Sequence, residues 1–293
     1  MNLKTITQKH PPLALDELIS GIKVFPDSDI EQKYEFISTL INIHPLLTVN
    51  WGKGSFYHRA RNMENNSTPI GDVSEILCPP KEKRTFGRID SNEHEILYMA
   101  YGRNTAFNEL KISDNNFRYY AVATFEISET LNVFPIGELS RIQTTGRGIL
   151  AGDASSSING MLNSCSRNEA IRLLITDKFL SECLMGDDYN ITSYVASCLF
   201  TKQPEISVIA YPSKQLIGGV NFAVKAPRIW DSMGINAIRY TQARHLACGY
   251  FEEKNTRHVI GIKHSGSLVW EDHNLGDEYY TELLEPIWKP DFR

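Results

Sequence analysis

The 293-residue chain has no long hydrophobic run, and its apolar stretches are as short as Ile96 to Ala100. No segment is therefore predicted to span a bilayer. Cysteine is scarce: the five cysteines are odd in number and never form a C-x-x-C pair, which argues against a disulfide framework and a structural zinc site. The stretch MNLKTITQKHPP at the beginning lacks the apolar segment of a signal peptide. From these absences we expect a cytoplasmic protein with reduced thiols.

Several common catalytic motifs are missing as well. There is no G-x-S-x-G hydrolase elbow, and the eight histidines never form H-E-x-x-H or another close ligand pair, so no metal is implied. Gly146, Gly148 and Gly152 superficially suggest a phosphate loop, but their spacing is not G-x-G-x-x-G and no Lys-Ser or Lys-Thr pair follows. A flexible connection is the better interpretation of that stretch.

The composition that is present is typical of a folded protein. Hydrophobic residues make up 42% of the chain and charged residues 22%, which is enough for one large core or two modest ones. The formal net charge of −5 argues against direct nucleic-acid binding. Charge is uneven, however: Lys53 to Arg88 holds seven bases and four acids, a net +3, whereas residues 271–293 hold seven acids and two bases. A basic segment in an acidic chain suits an anionic small ligand.

Hydrophobic periodicity predicts a mixture of helices and strands. Helices are predicted over 13–23, over 30–41 with an end before Pro45, from Asn104 or Thr105 through Ile112, over 167–182 and over 189–201. Strands are predicted at 56–60, 96–100, 118–127, 131–134, 206–211 and 220–225. Residues 62–80, rich in Asn, Pro and Gly, are predicted to form a long loop. Because helices and strands do not alternate regularly, the pattern favours an α+β fold over a doubly wound sheet.

Four segments contain candidate binding and catalytic residues: FYHRAR (56–61), FGRID (86–90), ILYMAYGRNTAFNEL (96–110) and IAYPSKQLIGGVN (209–221). Their order and spacing resemble the RES domain, a family named for an arginine, a glutamate and a serine. Its members are mostly bacterial toxins that consume NAD+ or transfer its ADP-ribose. The Pro79-Pro80 pair, the T-A-x-x-E helix start and the Tyr189-x-x-Thr192-Ser193 segment resemble the longer RES sequences. The resemblance covers roughly residues 50 to 228.

The resemblance implies site residues one by one. The implied catalytic residues are Arg59, Glu109 and Ser213. The implied NAD+-binding residues are Arg61, Arg88, Tyr98 and Asn221. Arg61 is also the alternative to Arg59 as the family's first arginine, because FYHRAR allows two registers. Two departures concern details of the pocket: Asp90 stands where the family usually has asparagine, and VIAYPS (208–213) lacks the family's glycine.

The chemistry of these residue types fits NAD+ cleavage. Arginine offers planar, permanently charged donors for a pyrophosphate. Breaking the nicotinamide–ribose bond passes through an oxocarbenium-like sugar, as glycoside hydrolysis does, and a carboxylate such as Glu109 stabilises that charge. Tyr98 is suited to stacking on a ring, and Ser213 to orienting the ribose or nicotinamide. Each residue also has an ordinary structural interpretation: surface ion pairs for the arginines, core for Tyr98, a solvated charge for Glu109 and a turn for Ser213.

Three functions follow as hypotheses. The first is an NAD+-degrading glycohydrolase or phosphorylase acting as a bacterial toxin or defence effector. The second is a protein ADP-ribosyltransferase, which shares the first half-reaction, and the third is a non-catalytic NAD+-sensing or partner-binding module. NAD+ is then substrate and no resident cofactor is expected. The expected protein partners are a helix-turn-helix antitoxin and a second copy of the chain; whether either exists stays open.

The domain organisation follows from the extent of the resemblance. A RES-like catalytic domain resembling ADP-ribosyltransferase folds is expected over 49–228, with a helical N-terminal extension over 1–48. A C-terminal extension over 229–293 is expected to pack on the domain. Its apolar residues, from Tyr279 to Trp288, predict a packed helix. That helix either restricts NAD+ access, positions a protein partner or completes the core.

Overall fold

The computed structural model describes residues 4–63, 68–78, 87–89, 95–112, 115–150, 154–226 and 229–271. The chain forms two compact units: one contains residues 1–49, 86–94 and 132–211, and the other contains 50–85, 95–131 and 212–293. The first boundary, between residues 49 and 50, lies one residue from the predicted boundary of the N-terminal extension (1–48), and no unit boundary lies between the predicted segments 49–228 and 229–293. The predicted C-terminal helix, the Pro79-Pro80 pair and Asp90 lie outside the described residues.

The described elements are numbered in chain order. Helices α1 to α9 are Ile6–Lys9, Leu15–Val24, Ile30–Ile43, Arg103–Asn108, Glu138–Thr145, Ala154–Asn163, Arg167–Met185, Tyr189–Lys202 and Ile229–Ser232. Strands β1 to β10 are Val49–Trp51, Phe56–Asn62, Ile96–Ala100, Arg118–Ile127, Leu131–Pro135, Val208–Pro212, Val220–Lys225, Met233–Ala247, Tyr250–Ile262 and Leu268–Trp270. This mixture of helices and strands is compatible with the predicted α+β class. Within the described ranges, no helix is both long and apolar enough to cross a bilayer.

The first unit is mainly helical. Helix α3 ends at Ile43, before Pro45 as predicted, and begins with a capping box in which Asp29 and Gln32 exchange side-chain to backbone hydrogen bonds. Helices α3, α7 and α8 pack on one another, and β5 runs parallel to β6 with Val133 opposite Val208. The glycine-rich stretch predicted as a flexible connection contains the end of α5, where Gly146 adopts φ +73° as a C-cap.

A buried carboxylate in this unit makes stability depend on pH. Asp177, which is 4% exposed, accepts a hydrogen bond from Ser140 N at 2.9 Å near the start of α5. Burial raises the pKa of Asp177 to about 6 from an ordinary 3.8. The folded protein therefore binds the proton more tightly than the unfolded chain, and the stabilisation present below pH 4 is lost as pH rises to about 6.

We expect Asp177→Asn to gain about 3 kcal/mol of stability relative to wild type between pH 4 and pH 7, because the amide has no charge to bury. Urea unfolding at several pH values measures this difference. Nε2 of the buried His44 lies 3.9 Å from Oδ1 of Asp177, and burial lowers the pKa of His44 to about 3. The same comparison in a His44→Gln background therefore separates the effect of the carboxylate from that of its coupling to His44. Asp16→Asn, at an exposed position in α2, is the matched control and should show no such trend. A pH-independent difference for Asp177→Asn would contradict the prediction.

The second unit is built around an antiparallel sheet with the strand order β7-β3-β2-β4-β8-β9-β10. The long hairpin of β8 and β9 turns at Cys248 and Gly249, which both adopt positive φ. The sequence analysis did not predict these two strands. They fall in the segment that it treated as a C-terminal extension, and β8 pairs directly with β4 while β9 pairs with β8.

The register of this sheet assigns each strand residue to one of two faces. One row of paired residues runs Asn221, Ala100, His58, Thr124 and Ala237 across β7, β3, β2, β4 and β8. Because side chains alternate along a strand, this row defines the His58 face, and residues one position away define the Arg59 face. Tyr57 and Phe222, whose rings lie 4.4 Å apart, are core residues of the Arg59 face.

Candidate functional site

Helix α4 places Glu109 on the His58 face of the sheet. The helix begins after Gly102 and ends at Asn108, so the predicted start at Asn104 or Thr105 is late by one or two residues and the predicted end at Ile112 is wrong. Phe107 anchors the helix by packing on Tyr120 with ring centroids 5.1 Å apart. Glu109 follows as the half-buried C-cap residue.

The carboxylate of Glu109 is held by two side chains that the sequence analysis singled out. Oε1 of Glu109 accepts one hydrogen bond from Ser213 Oγ at 2.6 Å and another from Asn221 Nδ2 at 2.7 Å. Asn221 projects from β7 on the same face, whereas Ser213 directly follows β6. The structure therefore brings Glu109 together with two predicted site residues that lie more than a hundred positions after it in the chain.

Protein groups occupy all the hydrogen-bonding positions of the Ser213 hydroxyl. Its oxygen accepts hydrogen bonds from the backbone N–H groups of Gln215 at 3.1 Å and Leu216 at 3.0 Å. A hydroxyl has one proton and two acceptor positions, so the proton is left for Glu109. This arrangement makes Ser213 a positioning residue for the carboxylate rather than a free nucleophile.

The turn that carries Ser213 lies tightly against α4. A Cβ atom at Gly219 would lie 2.9 Å from Thr105 Cγ2 and 3.1 Å from the carbonyl oxygen of Leu216. Ser213 N also donates to the carbonyl of Gly219 at 2.9 Å. Only glycine permits this close approach, which fixes the distance between Ser213 and Glu109.

Two acceptor atoms of the site have no protein donor within the described ranges. One is Oδ1 of Asn221, a residue that is only 4% exposed. The other is Oε2 of Glu109, for which no hydrogen bond is found in the described part of the chain. A buried acceptor without a donor costs roughly 1–3 kcal/mol, so a ligand that donates a hydrogen bond to Oδ1 of Asn221 would be favoured, and Oε2 of the half-buried Glu109 offers a second acceptor.

Tyr98 shares the His58 face with Asn221. It pairs with Ala223 in β7, one row from the Ala100–Asn221 pair, and is half-buried. The structure thus places Tyr98 on the same side of the sheet as Glu109, and its expected stacking on a ring of the ligand stays a prediction.

Arg59 and Arg61 lie on the opposite face. The guanidinium of Arg59 donates from Nε to the carbonyl of Ile76 at 2.9 Å and from Nη1 to the carbonyl of Tyr98 at 2.8 Å. Arg61 donates to the carbonyl of Leu77. Both arginines therefore bind backbone on the face turned away from Glu109, and their predicted contact with NAD+ stays a prediction.

We expect Arg59→Lys to lower the free energy of unfolding by about 1–3 kcal/mol, because one ammonium cannot reproduce the two directed bonds of the guanidinium fork. Urea denaturation measures this loss, with Arg244→Lys on the surface of the same unit as control. A variant with unchanged stability but a raised KM for NAD+ would instead indicate the ligand contact that the resemblance implies.

Arg88 belongs to the first unit. Its Nη1 donates to the carbonyl of Leu184 at 3.3 Å and to the carbonyl of Gly186, and its guanidinium lies 5.7 Å from the ring centroid of Tyr189. Arg88 thus connects the GR segment with the end of α7 and the start of α8, while the other six predicted residues belong to the second unit.

The structure adds three residues of the second unit, His58, Arg103 and Arg239, that sequence reasoning did not assign. His58 Nδ1 lies 3.1 Å from Thr124 Oγ1, and burial, with the positive charges of Arg103 and Arg239, lowers its pKa to about 4. Strand alternation around Arg59 could have revealed His58 as the residue that faces Asn221. No pattern in the sequence marks Arg103 or Arg239 in this way, because only the fold brings α4 and β8 together.

Comparisons with protein-family models, curated proteins and solved structures give no match to this chain. In the described ranges, no group of three or more His, Cys, Asp or Glu side chains is arranged to hold a metal ion. What the arrangement offers chemically is a fixed carboxylate on a sheet face, with one oxygen held by Ser213 and Asn221 and the other open to a ligand.

Proposed function

We propose that this protein cleaves the nicotinamide–ribose bond of NAD+, as a glycohydrolase or a phosphorylase. The observation that supports the proposal is the pair of hydrogen bonds, at 2.6 and 2.7 Å, from Ser213 and Asn221 to one oxygen of Glu109. The same three residues are those that the RES resemblance implies.

The proposed reaction breaks the bond between ribose C1′ and the pyridinium nitrogen. The electron pair of this bond moves to the ring nitrogen, so neutral nicotinamide leaves and positive charge develops on the ribose. The negative charge of Glu109 stabilises this oxocarbenium-like sugar, and its Oε2 accepts a hydrogen bond from a ribose hydroxyl. Water then adds to C1′ and releases a proton to give ADP-ribose, or phosphate adds to give ADP-ribose 1-phosphate.

The surrounding residues orient the substrate in this proposal. Ser213 and Asn221 hold Glu109, and the buried Oδ1 of Asn221 accepts a hydrogen bond from the ribose or from the nicotinamide carboxamide. Tyr98 lies against the ring or the sugar on the same face. Nicotinamide is a good leaving group, so no general acid is needed for its departure.

Incubation of the purified protein with NAD+, followed by separation of the products, tests the proposal. Nicotinamide with ADP-ribose indicates hydrolysis, and ADP-ribose 1-phosphate in phosphate buffer indicates phosphorolysis. Radiolabel from the adenylate half on protein indicates the ADP-ribosyltransferase alternative. A wild-type protein that binds NAD+ but releases no nicotinamide would overturn the proposal and favour the sensing module.

The proposed toxin activity predicts an effect in cells. We expect expression of the wild-type protein in bacteria to deplete NAD+ and arrest growth, because the reaction consumes a central cofactor. Measurement of cellular NAD+ and of growth rate, with Glu109→Gln as the matched control, checks this. Normal NAD+ levels in cells that hold the folded wild-type protein would count against a toxin.

A further inference from the structure

We propose that the tip of the β8–β9 hairpin, residues 248 and 249, is a positioning element of the Glu109 site. The hairpin tip contacts Asn108 at the end of α4 and Leu216 in the turn over residues 213–219, which we call the Ser213 turn. The restraint on this turn rests on the geometry alone, whereas its effect on catalysis rests on the proposed function. The hairpin lies outside the stretch that the resemblance covers, and no motif pointed to it.

The first contact joins the hairpin tip to the helix that precedes Glu109. Asn108, the last residue of α4, donates from Nδ2 to the carbonyl of Gly249 at 2.9 Å and to the carbonyl of Asn104 at 2.6 Å. An amide nitrogen carries two protons, so both hydrogen bonds form together. Because Asn108 directly precedes Glu109, these bonds fix the place where the chain leaves the helix.

The second contact joins the hairpin tip to the Ser213 turn. A Cβ atom at Gly249 would lie 2.4 Å from Cδ1 of Leu216, and Gly249 adopts φ +81°. Glycine is therefore required here for the close approach as well as for the backbone conformation. The backbone N–H of Leu216 donates to Ser213 Oγ at 3.0 Å. The hairpin tip thus lies against the residue whose amide orients the Ser213 hydroxyl.

The rest of the hairpin supports the same helix. Phe251 stacks on Phe107 with ring centroids 5.1 Å apart, and Nη1 of Arg103 lies 3.4 Å from Oε1 of Glu253. The contacts with α4 therefore recur at positions 249, 251 and 253, every second residue along one face of the hairpin. They reach from the first residue of α4 to its last. A helix of six residues is not stable by itself in water, so this support holds it in place.

The two contacts of the hairpin tip lie on the two sides of one hydrogen bond. Ser213 Oγ donates to Oε1 of Glu109 at 2.6 Å, with the turn on one side and the end of α4 on the other. A displacement of about 1 Å between reacting groups can cost roughly a hundredfold in rate. Asn108 and Leu216 are therefore positioning residues, which act on the reaction through Glu109 and Ser213.

Amide hydrogen exchange and steady-state kinetics together test the contact through Asn108. The N–H groups of Gln215 and Leu216 both donate to Ser213 Oγ, so their exchange rates report on the turn without any substrate. Asn108→Ala should raise both rates by about three- to tenfold, the effect of one lost hydrogen bond. It should also lower kcat for nicotinamide release by about ten- to hundredfold with an almost unchanged KM. Gln242→Ala, which removes one hydrogen bond elsewhere in the same hairpin, is the matched control.

A second variant tests the contact through Leu216. Gly249→Ala sets the new methyl group against Leu216 and strains the backbone, whereas Gly54→Ala has the same kind of strain, at φ +85°, with no atom within 4 Å of the new methyl group. Both variants should lose stability to a similar degree, but only Gly249→Ala should raise amide exchange in the Ser213 turn and lower kcat. Adding Leu216→Ala to Gly249→Ala removes the collision and should recover kcat at least threefold.

The outcomes separate this inference from the proposed function. If wild type releases no nicotinamide but Asn108→Ala and Gly249→Ala raise amide exchange in the turn, the restraint by the hairpin stands and the proposed function fails. If wild type cleaves NAD+ and both variants keep its kcat, the proposed function stands and this inference fails. Unchanged exchange in Asn108→Ala, or an equal loss of kcat in Gly54→Ala and Gly249→Ala, would also overturn the inference.

Discussion

Glu109→Gln is expected to lower kcat for nicotinamide release by about a hundred- to a thousandfold while leaving the affinity for NAD+ almost unchanged. The amide oxygen of glutamine can still accept the hydrogen bonds from Ser213 and Asn221, so the fold and the shape of the site are kept. The negative charge and the Oε2 acceptor are lost, and the charge matters most when the ribose becomes positive, so kcat should fall far more than the affinity. Removal of one preorganised electrostatic group typically has an effect of this size.

Steady-state kinetics of nicotinamide release measures the effect, and isothermal titration with NAD+ measures the affinity of the inactive variant. Glu129→Gln is the matched control, because Glu129 is an exposed acid of the same unit that pairs with Lys53. A Glu109→Gln variant with full kcat would assign Glu109 to the solvated charges of the helix and remove the main support for the proposed function.

Asn221→Asp is expected to have the second largest effect, and its effect should depend on pH. Nδ2 of Asn221 lies 2.7 Å from Oε1 of Glu109, so the substitution sets two carboxylates against each other. Two carboxylates at this distance share one proton and do not ionise together near neutral pH without strong repulsion. We therefore expect at least a tenfold loss of kcat at neutral pH and partial recovery in acid, where the shared proton restores the hydrogen bond.

The pH–rate profile of the Asn221→Asp variant checks this prediction by showing a descending limb that wild type lacks. Asn236→Asp is the control, because Asn236 makes the equivalent bond to Glu126 at 2.9 Å outside the carboxylate site. Profiles of wild type and Asn221→Asp that differ only by a constant factor would contradict a direct contact between residue 221 and the catalytic carboxylate.

The fold was predictable where burial follows a simple period. Strands β4 and β7 have the predicted bounds, and α3 ends before Pro45, because apolar spacing and the proline constraint act locally. Strand β9 was missed because much of its length is charged and half-exposed, so little apolar alternation marks it. Strand β8 is largely buried, but polar residues such as Asn236 and Thr241 interrupt its apolar pattern. The pairing of β8 with β4 is a long-range contact that the local pattern does not contain.

The residues of the candidate site were predictable from the sequence only in part. Motif order pointed to Glu109, Ser213 and Asn221, and the structure joins them through two hydrogen bonds. The order of the motifs did not reveal on which face of the sheet each strand residue lies. Strand β2 carries His58 and Arg59 side by side in sequence, and the pleat sends them to opposite sides of the sheet.

By itself the sequence determined the mixture of helices and strands, the positions of several elements and the residue types available for a carboxylate-centred site. These depend on local forces: side-chain periodicity, capping and backbone restriction at proline and glycine. The tertiary structure alone decided that Ser213 donates its hydrogen bond to Glu109, that Arg59 and Arg61 bind backbone carbonyls, and that β8 lies beside β4. Those outcomes depend on strand register and on the packing of α4 on the sheet, which join residues far apart in the chain.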